Sequence, residues 1–81
     1  MKISAELSLY PLTGDYKPPI RDYIQRLESR AGLTVRTNAL STEVFGDYDT
    51  VMGAVNETTK ALFELDDSVV LVAKYLNTDR S

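Results

Sequence analysis

The chain has 81 residues, 43% of them hydrophobic and 26% charged, and a formal net charge of −3. That length admits one domain over residues 1–81 and excludes a second; so short a chain buries only about 60–65% of its unfolded surface and must gain stability from tight packing or association. Cysteine and histidine are both absent, which excludes disulfides, thiolate nucleophiles and zinc–thiolate sites and removes the commonest general base and metal ligand.

The nine Lys and Arg residues are scattered among twelve Asp and Glu, whereas nucleic-acid binding needs clustered cations. The sequence contains no apolar stretch of signal-peptide or membrane-spanning length, so the expected location is the cytoplasm, without membrane insertion.

Residues 2–10 alternate, with Ile3, Ala5, Leu7 and Leu9 on one face and Lys2, Ser4, Glu6, Ser8 and Tyr10 on the other. A period of two over this length predicts a half-buried strand, which Pro11 ends by removing a ladder donor. Leu12-Thr13-Gly14-Asp15-Tyr16-Lys17 is a loop by composition, and Pro18-Pro19 presets the first turn of a helix. That helix is expected over residues 19–30, with Ile20, Tyr23, Ile24, Leu27 and Ala31 on its buried stripe. Arg26 and Arg30 suit its C-terminal dipole, and Gly32 suits the left-handed position that follows.

Residues 33–40 form a β-rich run in which Val35, Thr37 and Ala39 alternate with Thr34, Arg36 and Asn38. A turn near Leu40-Ser41 leads into a short third strand, Thr42-Glu43-Val44-Phe45. So short a connection requires an antiparallel hairpin. Gly46 offers positive φ, and Asp47 or Asp49 can cap the next helix. This second helix is expected over residues 48–65, burying Val51, Met52, Val55, Thr59, Leu62 and Phe63, with Gly53 explained by close packing against the sheet. After the turn Asp66-Asp67-Ser68, residues 68–76 form the last strand. Its run Val69-Val70-Leu71-Val72-Ala73 is apolar on both faces. Helices can cover only one of them, so the other implies a second copy of the chain.

Strand, helix, strand, strand, helix, strand is the order of an α+β ferredoxin-like plait. It predicts an antiparallel four-stranded sheet with the first and third strands central and two helices on one face.

A fold does not fix a function. Asp47 and Asp49 stand beside a helix start, where capping is the plainer role, and Asp66 and Asp67 lie in a turn. Acylphosphatases resemble this chain in topology only, because the loop after its first strand holds no arginine to cradle a phosphate. RNA-recognition modules share the topology but need basic and aromatic residues on the central strands; here Phe45 stands with Glu6 and Glu43 nearby. No catalytic residue, metal ligand or cofactor is expected, and the chain reads as a binder rather than an enzyme.

The open sheet face remains. Ser4, Glu6, Ser8 and Tyr10 should neighbour Glu43 and Phe45, or Thr42 and Val44, on the third strand. Thr37, Asn38, Ser41 and Thr42 cluster around the hairpin. Hydroxyls, an amide, an aromatic ring and a carboxylate suit a small flat polar ligand, above all a cationic one. The same Ser and Thr residues are also ordinary strand and turn formers.

Three segments form a pattern: Ser4-Ala5-Glu6-Leu7-Ser8-Leu9-Tyr10-Pro11-Leu12, Thr37-Asn38-Ala39-Leu40-Ser41-Thr42, and Val44-Phe45-Gly46-Asp47-Tyr48-Asp49. In these the chain resembles the YkoF-type thiamine/hydroxymethylpyrimidine-binding family, and more distantly the broader thiamine-binding-protein family that shares the plait. The resemblance implies a non-catalytic binder of thiamine or its pyrimidine precursor, acting in salvage or as a transporter component. It implies a homodimer or homotetramer through the open sheet face, replacing the two-domain chains of better-known members. On the matching motif positions, Ser8 and Tyr10 would line the pocket, and Asn38, Ser41 and Thr42 would bond the aminopyrimidine edge. Glu6 or Asp47 would be the anionic partner of an amino group or the thiazolium. The competing expectation is a homo-oligomeric regulatory or assembly domain with no small-molecule ligand.

Overall fold

The computed structural model describes residues 1–12, 14 and 17–81, so the loop reading of Thr13, Asp15 and Tyr16 lies outside the described residues. The elements follow in the expected order: β1 (Lys2–Pro11), α1 (Lys17–Glu28), β2 (Thr34–Thr37), β3 (Thr42–Asp47), α2 (Tyr48–Leu65) and β4 (Val69–Leu76). Every pairing is antiparallel and the strand order is β2-β3-β1-β4. The first and third strands are therefore central, as the βαββαβ plait requires.

Alternation along β1 builds the core. Ile3, Ala5 and Leu7 stand opposite Gly46, Val44 and Thr42 of β3. With Val44 they pack against Tyr23 and Leu27 of α1 and Val51, Ala54, Val55 and Leu62 of α2. Each large aliphatic side chain so buried contributes about 1.5–3 kcal/mol.

Several boundaries differ from expectation: β1 takes in Pro11, α1 opens at Lys17 rather than residue 19, and β3 runs on through Gly46 to Asp47. Two further ends have local reasons. The Ser29 hydroxyl donates to the Arg26 carbonyl at 2.7 Å and the Arg30 N–H to the Leu27 carbonyl at 3.1 Å, so α1 closes at Glu28 and Ala31 is exposed rather than on the buried stripe. Gly32 follows at φ +84, the left-handed position expected of it. β2 stops at Thr37 because the Asn38 N–H donates to the Ser41 carbonyl at 2.9 Å, which turns residues 38–41 out of the sheet as the hairpin loop.

The bounds of α2 agree with expectation, but its buried face is rotated. Val51, Val55, Thr58 and Leu62 follow the i, i+4, i+7, i+11 spacing of one stripe, joined by Ala54. Phe63 lies one residue further round the helix and is 53% exposed, which corrects its assignment to the core. Gly53 is not explained by close packing either, since a Cβ there would meet nothing within 4 Å. The close approach occurs at Gly46, where a Cβ would lie 2.8 Å from the Gly32 carbonyl oxygen. Gly46 is extended within β3, not at positive φ. Asp47 occupies the N-cap of α2 without a side-chain capping bond. Its carboxylate pairs instead with Lys2 Nζ at 3.7 Å and the Met1 amino group at 3.9 Å.

The helices meet where the Tyr23 hydroxyl lies 3.0 Å from Thr59 Oγ1. Burial pushes the Tyr23 phenol above its ordinary value, the Thr59 hydrogen bond pulls it partly back, and nearby Tyr75 adds to the rise. A phenol with a raised folded-state pKa stabilises the fold fully below its unfolded value of about 10, and that contribution is lost as pH rises through the folded value. The urea midpoint of the wild type should therefore fall more between about pH 9 and pH 11 than that of Tyr23→Phe. Equal falls in the two proteins would contradict this assignment.

Candidate functional site

The site follows from a mismatch in strand length. β1 pairs with β3 only over Lys2 to Leu7, but with β4 over Ser4 to Pro11. Ser8, Leu9, Tyr10 and Pro11 therefore project past the end of β3. The hairpin loop 38–41 lies beside this overhang, and Ile20 of α1 stands behind it. Together they enclose an open notch of about 860 Å³, a size ordinary for small-molecule sites. Glu6, Ser8, Tyr10, Ser41 and Lys74 supply its polar groups, and Leu9, Leu12, Ile20 and Leu40 supply apolar wall.

Four of the expected site residues, Glu6, Ser8, Tyr10 and Ser41, share this notch. Glu6 Oε2 accepts a hydrogen bond from Ser41 Oγ at 3.2 Å, and Glu6 Oε1 lies 3.7 Å from Lys74 Nζ. Ser8 Oγ donates to the Leu40 carbonyl at 3.4 Å. The Tyr10 ring is half exposed at the rim, where a flat ligand can stack on it.

The remaining three sit elsewhere. Asn38 and Thr42 line a smaller adjoining cavity of about 120 Å³ between the hairpin and α1. Thr42 is buried opposite Leu7 on the helix-facing side, so the residues that neighbour the open face of β1 are Glu43 and Phe45. The Asn38 amide donates to Glu43 Oε1 at 3.1 Å. Asp47 stands at the far end of β3, opposite Lys2. Four residues of strand, about 13 Å, separate it from Glu43.

A rung of charges crosses the open face, one residue per strand: Arg36, Glu43, Glu6 and Lys74 stand directly opposite one another in sequence across the sheet. Two carboxylates facing each other on central strands repel. Each is offset by its outer neighbour, with Arg36 Nη1 3.9 Å from Glu43 and Lys74 Nζ 3.7 Å from Glu6. Exposed pairs of this kind are worth about 0–1 kcal/mol, weak enough to be exchanged for contacts to a ligand. The sequence reading missed Lys74, because its place beside Glu6 depends on the register of two strands at opposite ends of the chain. A register set by opposite charges was the available signal.

At the other end of this face Phe45 is only 2% exposed. The Arg36 guanidinium lies over its ring, 5.2 Å from the centroid. The segment after β4 crosses beside it: Ser4 Oγ donates to the Thr78 carbonyl at 2.6 Å and accepts from the Arg80 N–H at 2.9 Å. Val70, Val72 and Leu76 of β4 remain 45%, 43% and 43% exposed in the single chain. Among the described residues, no helix is long and apolar enough to cross a membrane and no acidic cluster could hold a metal ion.

No protein-family model matches the chain, and no curated protein matches it significantly in sequence. Solved structures do match in fold. A hypothetical protein of Methanocaldococcus jannaschii is 27% identical with a TM-score of 0.82, the match covering 99% of this chain and 84% of that one. A protein of Streptococcus pneumoniae is 22% identical with a TM-score of 0.89, covering 99% and 90%. A Thermotoga maritima protein described as a candidate thiamine biosynthesis/salvage protein is 20% identical with a TM-score of 0.83, covering 96% and 85%. What this chain shares with them along almost its whole length is the plait.

Proposed function

We propose that this protein is a cytoplasmic, non-catalytic binder of thiamine or its hydroxymethylpyrimidine moiety, serving thiamine salvage or transport. The observation that carries this reading is the convergence of Glu6, Ser8, Tyr10 and Ser41 on one notch. A carboxylate among hydroxyls, beside an exposed aromatic ring, offers a flat cationic heterocycle a counter-charge, hydrogen-bond partners and a stacking surface. The description of the Thermotoga maritima neighbour supports the same ligand class. Glu6 serves the amino group or the ring cation, Ser8 and Ser41 the heteroatom edge, and Tyr10 the ring face. Asn38 and Thr42 act from the adjoining cavity, and Asp47 holds the chain terminus rather than the ligand.

A second reading has its own observation. Val70 and Val72, with Leu76 on the other side of Lys74, leave apolar surface on the open face, which suits a homo-oligomeric assembly domain whose face is covered by another copy, with or without a ligand.

Isothermal titration calorimetry separates the two. Thiamine or hydroxymethylpyrimidine should bind saturably, near one per chain. Glu6→Gln should weaken the cationic ligand by roughly ten-fold or more, as expected for losing a charge-assisted contact. No heat with either compound, from folded protein, would overturn the thiamine reading in favour of the assembly domain.

A further inference from the structure

The notch holds a cation that its proposed ligand does not need. Lys74 stands opposite Glu6 in the β1–β4 register and lines the same cavity. Among the described lining residues it supplies the positive charge and Glu6 the negative one. Glu6 is thus engaged on both oxygens, by Lys74 Nζ at 3.7 Å and Ser41 Oγ at 3.2 Å. A ligand with only a positive charge has to compete with Lys74 for that carboxylate, and success leaves the ammonium unpaired at the rim.

We infer that Lys74 is a specificity-determining residue, and that it selects a ligand carrying an anionic group, such as a phosphate ester, in addition to its cationic ring. The inference rests on the thiamine-class reading of the notch and narrows it. The side chain of Lys74 is 75% exposed, and its flexible four-carbon stem lets the ammonium leave Glu6 without moving β4. When the ring cation takes Glu6, Lys74 swings to the anionic tail. The Glu6–Lys74 pair is thus exchanged for two pairs with the ligand, and each charge in the notch keeps a partner of opposite sign. A phosphate monoester carries about −1.5 to −2 charges at neutral pH, a stronger partner for an ammonium than the carboxylate it gives up. For a bare cation, Lys74 is a competitor; for the phosphorylated form, it is a contact.

The test uses thiamine and thiamine monophosphate as probes, titrated into the wild type, Lys74→Gln and Lys74→Arg. Wild type should prefer the monophosphate. Lys74→Gln should bind thiamine a few-fold more tightly and the monophosphate a few-fold more weakly, shifting the ratio by about ten-fold, while Lys74→Arg keeps the wild-type preference. An unchanged ratio in Lys74→Gln, or equal weakening of both probes, would overturn the inference while leaving the thiamine reading intact. Failure of the wild type to bind either probe would overturn the inference, and failure with hydroxymethylpyrimidine as well would overturn both.

Discussion

Leu7→Ala is expected to destabilise the protein by about 3 kcal/mol, within the range of about 2–5 found for buried Leu→Ala changes. Leu7 is 1% exposed at the middle of β1, held between Thr42 of β3 and Ala73 of β4. Both strands pin its backbone, so the site cannot collapse onto the missing carbons. Its side chain also lines the 120 Å³ cavity beneath the hairpin, and truncation enlarges a space already there. Typical domains have about 5–15 kcal/mol in total, and one of this size loses roughly 4–8 °C of melting temperature per kcal/mol. A fall of more than about 10 °C, with an unchanged urea m-value, is the expected result. A loss below about 1 kcal/mol would show that the core relaxes around β1. Glu6 and Ser8 point to the opposite face, so their contacts in the main notch should survive at temperatures where the variant is folded.

The second large effect is a contrast between two glycines. Gly46→Ala should cost about 1–3 kcal/mol, as overpacking does, because its new methyl would sit 2.8 Å from the Gly32 carbonyl oxygen. That oxygen belongs to backbone. The methyl would otherwise meet only ordinary van der Waals neighbours, Leu33 Cδ2 at 3.4 Å and Val51 Cγ2 at 3.5 Å, so the cost falls on the contact between β3 and the turn at Gly32. Gly53→Ala should instead stabilise by about 0.5–1 kcal/mol, since the helix gains propensity and the methyl meets nothing within 4 Å. Urea denaturation of both variants checks the pair. A neutral Gly46→Ala would mean that β3 and the turn at Gly32 can separate without cost, and a destabilising Gly53→Ala would restore the packing explanation for Gly53.

The two glycines show where local reasoning stopped. Both lie in patterned segments, and residue type alone assigned the tight approach to the one inside the helix. The approach is made by Gly32, fourteen positions before Gly46 in the chain, and nothing local to either residue reports it. Phe63 failed for a related reason. Apolar residues at both 62 and 63 broaden the apparent stripe of α2, and only the sheet beneath decides which of the two faces it.

Alternation along β1, the apolar periods of both helices and the short hairpin connection were sufficient by themselves to determine the order of elements and the sheet they build. These are local properties, since side-chain period and turn length act within a few residues. The open-face residues Glu6, Ser8 and Tyr10 were legible on the same ground. Tertiary structure alone decided the notch, because it exists where β1 outruns β3, and strand overhang depends on registers between segments far apart in sequence. It also brought Lys74 to Glu6, sent Asp47 to the chain terminus and turned Thr42 inward. Each is a long-range pairing, and in a sheet of period two a register difference of one residue reverses which face a side chain serves.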